Sequence, residues 1–336
     1  MFGSAPAFWW NKPGIQAWAL WPVSWIYGRI ASGRMQKVVQ ARAPLPVICV
    51  GNFTVGGSGK TPLAIALAKA AKSEGFKPGF ISRGHGGTVK IARLAVETDT
   101  ASTIGDEAML LLRVAPVAVG ADRFAAAKLL ADAGCTLAIM DDGFQSQAIA
   151  IDFAIIAVDA RRGAGNGFVI PAGPLRAPIA VQMPFADQII AVGEGQAGDG
   201  LVRFAARAAK PIARATLSPR NIGKLKGKRV MAFAGIADPE KFYATLRGLG
   251  AVIVKTRNFP DHHAFSNTDL QSLTNDCDDL LLVTTEKDAV RIHGASEIHQ
   301  NIQKILITVP VQIQLQDDAL FKRAVDEAVK RFKAAG

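Results

Sequence analysis

The chain has 336 residues, 49% of them hydrophobic, with 39 basic and 28 acidic groups for a formal charge of +11. That is enough for two domains with real cores. It excludes a repetitive, low-complexity or metal-knuckle protein, since Cys49, Cys135 and Cys277 are scattered without ligand spacing and read as buried thiols of a reducing compartment. The positive balance suits an anionic partner: nucleic acid, an anionic membrane surface or a phosphorylated small molecule.

All of the tryptophans, Trp9, Trp10, Trp18, Trp21 and Trp25, precede residue 26. A helix starting near Ile15 puts Ile15, Trp18, Pro22, Trp25 and Ile26 on one face, and Arg29, Arg34, Lys37 and Arg42 follow. Indoles favour the membrane–water interface and basic groups its anionic head groups. The apolar run Ala17 to Tyr27 falls short of the ~20 residues a span needs, and Pro22 interrupts it. Residues 1–35 are therefore expected to form an interfacial membrane helix, in preference to a cleaved signal peptide or a helix merely packed on its own domain.

Leu45 to Val50 reads as a buried strand, and an alanine-rich helix runs from Leu63 to Lys72. Between them lies Gly51-Asn52-Phe53-Thr54-Val55-Gly56-Gly57-Ser58-Gly59-Lys60-Thr61-Pro62. A strand, a glycine loop and Gly-Lys-Thr opening a helix form a P-loop, with Thr54 where its first glycine usually stands. Converging backbone N–H groups at Thr54, Val55, Gly56, Gly57, Ser58 and Gly59 would cradle a triphosphate at the positive helix end. Lys60 would reach the β- and γ-phosphates, and Thr61 would ligate magnesium.

A second strand, Pro78 to Ser82, ends in Arg83-Gly84-His85-Gly86-Gly87. Gly105-Asp106-Glu107 opens a helix to Val114; spacing alone favours capping by Thr103 or Asp106 over a carboxylate presented for proton transfer. A short strand, Val117 to Gly120, leads to a helix over Ala121 to Ala133 bearing Asp122 and Arg123. The strand Thr136 to Met140 ends in Asp141-Asp142-Gly143-Phe144-Gln145, where a metal-binding acid belongs behind a P-loop. Ile151 to Val158 is another strand. The glycines after it do not make a dinucleotide fingerprint, because Pro171, Pro174 and Pro178 forbid the required helix. Gly163 to Pro178 is an irregular loop bearing Arg176.

Leu201 to Ala206 and Ile212 to Leu217 read as short alternating runs of a β-linker, and Lys224, Lys226, Lys228 and Arg229 as a solvated charge run. A new βαβ unit begins at Val230 and leads through Val252 to Lys255 into Asp261-His262-His263. Adjacent histidines cannot all face one metal, so a histidine held by a carboxylate is the better reading. Thr285-Glu286-Lys287-Asp288 fails as a guanine-reading motif, because its lysine and aspartate are adjacent. A final helix capped by Asp317 has Leu320, Phe321, Ala324, Val325 and Ala328 on one face. The expected architecture is α/β: a P-loop NTPase-type parallel sheet domain (36–215) and a smaller C-terminal α/β domain (216–336), behind the N-terminal helix.

Taken together and in order, the P-loop with its Gly51-Asn52 lead-in, Ser82-Arg83-Gly84, Gly105-Asp106-Glu107, Asp141 to Gln145, Gly165-Asn166-Gly167 with Pro171 to Arg176, Gly235-Ile236, Asp261-His262 and Thr285 to Asp288 resemble the tetraacyldisaccharide 4′-kinase family nearly end to end. The resemblance implies transfer of the ATP γ-phosphate, with Mg2+, to the 4′-hydroxyl of a tetraacylated glucosamine disaccharide 1-phosphate. The product is lipid IV(A), made at the cytoplasmic face of the bacterial inner membrane by a peripheral or monotopic enzyme. It implies Asp106 as base with His262 beside it, Asp261 adjacent, and Lys60, Thr61, Asp141 and Asp142 at the nucleotide and metal. Arg123, Arg176, Asn166, Gln145 and Glu107 fall on the substrate side. No nucleic acid or protein partner is expected. His85 and Ala177 depart from the family pattern, which commonly has tyrosine and glutamate there. The rival class is a membrane-associated P-loop GTPase or nucleotide-dependent chaperone, which the failed guanine motif disfavours.

Overall fold

The structure is a computed structural model describing residues 5–39, 41–220, 225–292, 297–317 and 319–335; Lys224 of the charge run lies outside them. A 3₁₀ turn (Ala7–Trp10) precedes α1 (Ile15–Met35). There follow β1 (Val47–Gly51), α2 (Lys60–Ser73), β2 (Pro78–Ser82), β3 (Arg93–Leu94), α3 (Ala101–Ile104), α4 (Asp106–Leu112) and β4 (Val117–Val119). Next come α5 (Arg123–Asp132), β5 (Leu137–Asp141), β6 (Phe153–Asp159), α6 (Ile179–Gln182), β7 (Gln188–Val192), α7 (Asp199–Arg207) and β8 (Ile212–Pro219). The remainder comprises β9 (Arg229–Ala234), α8 (Pro239–Gly248), β10 (Val252–Asn258), α9 (Asn267–Asp276), β11 (Leu281–Thr285), α10 (Glu286–Arg291), α11 (Glu297–Ile305), β12 (Leu306–Val309), β13 (Val311–Leu315) and α12 (Ala319–Ala334).

The large sheet has the order β13-β8-β7-β6-β1-β5-β2-β4-β3. It is parallel except at its edges, where β13 and β3 pair antiparallel. Its central strands are apolar at nearly every position because helices cover both faces. Alternation along each strand divides the side chains between two cores. Val47 and Cys49 enter the core that also holds Ala126, Ala127 and Met183, while Ile48 and Val50 enter the one built on Leu63, Leu67 and Leu111. The smaller sheet, β10-β9-β11-β12, is parallel throughout and likewise has a core on each face. Parallel pairing leaves the carboxyl ends of β1, β2 and β5 side by side, where open α/β sheets bind ligands.

Three details differ from the sequence reading. Leu201 to Ala206 lies inside α7: Leu201 and Ala205, four residues apart, form its buried face, so the run is amphipathic helix and not strand. Only Ile212 onward is strand, and the expected boundary at residue 216 falls inside β8. The end of the chain also returns to the large sheet. There β13 pairs with β8, and Leu320, Phe321, Ala324 and Val325 of α12 join the core under α2.

Helix α1 docks through its small residues. Ala17, Ser24, Gly28 and Met35 are buried, and their spacing follows one helical stripe. Ser24 Oγ donates to the Val169 carbonyl, Trp18 meets Phe168 edge-on at 5.0 Å, and Gly28 lies against Pro178. The bulky apolar side chains point outward: Ile15, Trp18, Trp21, Val23, Trp25, Ile26 and Ile30 are all exposed. Among the described residues no helix is long and apolar enough to cross a membrane.

Candidate active site

The phosphate loop leaves β1 and turns into α2 through Gly56 (φ 106°) and Gly59 (φ 82°), backbone regions that side chains rarely tolerate. A Cβ on Gly59 would also stand 3.0 Å from Val192. Lys60 and Thr61 occupy the first turn of α2 and are buried. Thr54 needs no glycine, because the lead-in there is extended: it bridges antiparallel to Leu175, Val55 N–H donates to the Pro174 carbonyl (2.8 Å), and Arg176 N–H to that of Phe53 (2.9 Å). The loop at 172–176 thus acts as a wall for the P-loop.

The carboxyl end of β5 supplies the acids. Thr61 Oγ1 donates to Asp141 Oδ2 at 3.2 Å, while among the described residues Oδ1 of both Asp141 and Asp142, and Oγ of Ser58, are buried without a hydrogen-bond partner. Burial above all, then Glu107, raises the Asp141 carboxyl to about 7, with Lys60 opposing. Asp142 also suffers burial, yet Lys60 (3.9 Å) and Arg176 (2.9 Å) keep it below the usual carboxylate range. Asp142 sits at φ 56°, a left-handed conformation aspartate tolerates better than most residues. No cluster of three or more His, Cys, Asp or Glu side chains converges on a metal among the described residues. Unpartnered carboxylate oxygens beside a threonine hydroxyl nonetheless fit Mg2+, which takes one or two carboxylates and completes its shell with phosphate and water oxygens.

The residues expected on the substrate side separate here. Arg176 joins Asp142 to the Thr54 carbonyl (3.2 Å). Gln145 is held on both ends, donating to Asn52 O (2.8 Å) and Gln182 Oε1 (2.9 Å) and accepting from Arg176 (3.4 Å). Asn166 is occupied by its own loop: Nδ2 donates to Ala172 O (2.8 Å) and Oδ1 accepts from Phe168 N–H (3.0 Å). Its backbone N–H donates to Trp9 O, tying that loop to the N-terminal segment. Arg123 opens α5, buried with Nη1 lacking a hydrogen-bond partner among the described residues; burial first, then Arg83, lowers its affinity for the proton, against the pull of Asp142 and Asp141.

Asp106 begins α4 and faces the second sheet. Its Oδ2 accepts from His262 Nδ1 (3.1 Å), from Arg291 Nε (3.1 Å) and from Arg291 Nη2, while Glu107 N–H donates to Oδ1 (2.9 Å). Burial works against ionisation, but the His262 hydrogen bond and the charges of Arg291 and Lys287 hold this carboxyl far below its ordinary value. The same hydrogen bond raises the His262 imidazole, opposed by burial. His262 has φ 59°, and His85 packs edge-on against its ring at 6.0 Å. Asp261 flanks His262 Nε2 at 3.9 Å. Beside this pair, Lys287 Nζ binds Glu107 Oε1 at 3.0 Å; Glu107, whose largest perturbation is burial, also feels Lys60, which sets this end of α4 against the phosphate loop.

The sequence reading passed over Arg291 and discounted Lys287 and Asp288. The signal was present in Thr285 to Asp288: Thr285 caps α10 on Asp288 N–H (3.1 Å), Asp288 accepts from Gly235 N–H (3.1 Å), and one turn later Arg291 binds Asp288 Oδ1 (2.9 Å). The motif orients cations toward α4, and its lysine and aspartate make these internal contacts.

A phosphate loop, an acidic strand end and a carboxylate–histidine pair contributed by two sheets are the parts of a P-loop phosphotransferase. The tetraacyldisaccharide-1-P 4′-kinase (LpxK) family model matches residues 16–330. The chain belongs to that family. It is 52% identical over 296 residues to the tetraacyldisaccharide 4′-kinase of Chelativorans sp., covering 87% of this chain and 86% of that one. It is 45% identical over 341 residues to that of Rhizobium meliloti, covering 99% and 97%. Its fold is shared with LpxK of Aquifex aeolicus, crystallised with ATP: TM-score 0.74 at 23% identity, over 94% of this chain and all of that one.

Proposed function

We propose that the protein transfers the γ-phosphate of ATP to the 4′-hydroxyl of a tetraacylated glucosamine disaccharide 1-phosphate, forming lipid IV(A) at the cytoplasmic face of the inner membrane. The observation that carries this reading is the 3.1 Å contact of Asp106 with His262 beside the Lys60 loop. A sugar hydroxyl ionises far above neutrality, so its attack benefits from a carboxylate that takes the proton as the bond to phosphorus forms. The bond between the γ-phosphorus and the bridging oxygen of ADP breaks as ADP leaves. Asp106 is that base, and His262 orients it, with Asp261 on the outer ring nitrogen.

Lys60 and the N–H groups from Thr54 to Gly59 hold the triphosphate in line. Thr61 and Asp141, with Asp142 adjacent, would hold Mg2+, which neutralises charge on the phosphates when bound. Arg123, buried with a donor that has no hydrogen-bond partner among the described residues, is the best placed of the expected arginines to meet a phosphate. Arg176, Gln145 and Asn166 shape the wall of the site; Glu107 and Lys287 brace its roof. The division into a nucleotide domain and a smaller C-terminal domain is read the same way, the second supplying His262. The outward face of α1 with Arg29, Arg34 and Lys37 lies on an anionic bilayer and brings the site to its lipid.

The test is incubation with ATP, Mg2+ and tetraacyl disaccharide 1-phosphate, read by mass spectrometry of the lipid. A gain of one phosphate is expected. Its absence with folded protein overturns the activity, and wild-type turnover in Asp106→Asn overturns the base.

A further inference from the structure

Asp106 has two carboxylate oxygens in unequal surroundings. Three side-chain donors converge on Oδ2, two of them from Arg291, whereas among the described residues Oδ1 accepts only from the N–H of Glu107. Arg291 is itself fixed from behind. Its Nη1 donates to Asp288 Oδ1 (2.9 Å) and to the Gly235 carbonyl (2.8 Å), and its side chain is 5% exposed beside a fully buried Asp288. Asp288 is anchored in turn by Gly235 N–H and Thr285 Oγ1 (2.7 Å). A buried arginine held by two carboxylates and a carbonyl has one available geometry.

We infer that Arg291, anchored by Asp288, is a positioning residue that saturates Oδ2 of Asp106 and leaves Oδ1 as the atom offered to the acceptor hydroxyl. The inference rests on Asp106 being the base. Two consequences follow from the geometry. The carboxylate is held in one rotamer although it lies at the junction of two sheets, so the proton-accepting lone pair keeps a fixed direction. The guanidinium is also not stranded when Asp106 takes up a proton, because Asp288 still neutralises it at 2.9 Å. The other charged groups facing Asp106 are His262 and, behind it, His85 and Asp261 from the loops, Lys287 from α10, and Glu107 from its own helix.

The full-length chain is assayed with ATP, Mg2+ and tetraacyl disaccharide 1-phosphate in mixed micelles as Arg291→Gln, Arg291→Lys and Asp288→Asn, alongside Asp106→Asn. Arg291→Gln is expected to lower kcat ~100-fold with KM for ATP within ~2-fold, and to move the acid limb of kcat/KM toward higher pH, since the carboxylate loses a cation. Arg291→Lys recovers part of both effects, and Asp288→Asn moves the limb the same way by less. A role confined to holding the fold lowers the thermal midpoint and rate but leaves the limb in place; that result in Asp288→Asn and Arg291→Lys overturns the inference even if Arg291→Gln does not fold. An inactive Asp106→Asn with an unmoved limb in the other variants defeats this inference alone. A wild-type Asp106→Asn defeats the assignment of the base beneath it.

Discussion

Replacing Trp21 and Trp25 by alanine should separate membrane docking from folding, because neither indole belongs to the buried stripe of α1. They are 45% and 56% exposed, whereas the docking stripe is Ala17, Ser24, Gly28 and Met35. Half of an indole's ~250 Å² is roughly 125 Å² free on each residue. At ~25 cal/mol per Å² that is about 3 kcal/mol apiece as a ceiling for transfer into an apolar medium. An interface that realises half of it loses about 3 kcal/mol for the pair, on the order of 100-fold in partition coefficient. Folding should change little: Trp25 gives up an Arg29 contact at 5.8 Å, an exposed cation–π pair of ~0.5–1 kcal/mol. The assay is sedimentation with vesicles containing anionic lipid, paired with thermal unfolding and turnover on a short-chain, micelle-dispersed acceptor. Expected are a large loss of vesicle binding, a nearly unchanged midpoint and retained turnover in micelles. Partitioning within ~3-fold of wild type would refute the assignment of this face to the bilayer.

Lys60→Met should lower kcat by ~10²–10³ with the fold intact, because it removes a cation from developing phosphate charge; rapid-quench turnover and circular dichroism measure the two halves. Asn166→Ala should cost about 1 kcal/mol of stability through its lost loop hydrogen bonds and leave both KM values within ~2-fold, since its amide faces Ala172 and Phe168; a large rise in the lipid KM would restore it as a substrate contact. The His262–Asp106 tie has a defined pH window. His262 is raised in the folded state, so its contribution is full below the ordinary histidine value and is lost as pH rises through the folded value. Asp106 is depressed, so its contribution is full above the ordinary aspartate value and is lost as pH falls through the folded one. The difference in thermal midpoint between wild type and His262→Asn should therefore be greatest from about pH 4 to pH 6.5 and shrink on the alkaline side; a difference flat across that range would contradict it.

Much of the fold could be read from local pattern. Strands buried on both faces appear as apolar runs, so β1, β2 and β5 emerge within two residues of where they lie. Helix α1 begins at Ile15 as its periodicity requires. The α7 segment misled because Leu201-Val202-Arg203-Phe204 mimics alternation over a stretch too short to distinguish a period of two from one of 3.6. The return of β13 and α12 to the large sheet has no local signal, since a strand's sequence does not name its partner.

The site divides in the same way. By itself the sequence determined the phosphate loop and the paired aspartates, because each depends on backbone shape or spacing within a few consecutive residues: Gly56 and Gly59 at positive φ, Lys60 and Thr61 in the first helical turn, acids at a strand end. Only the tertiary structure brought Arg291 to Asp106; His262 beside that carboxylate was implied by the family resemblance and by no local pattern. Arg291 lies 185 positions away and His262 156, and neither is marked by its neighbours as a partner of that carboxylate. The contact exists because α10 and the loop after β10 pack against the first turn of α4. Long-range packing, which fixes the relative placement of whole elements, selects the charges that share a buried carboxylate.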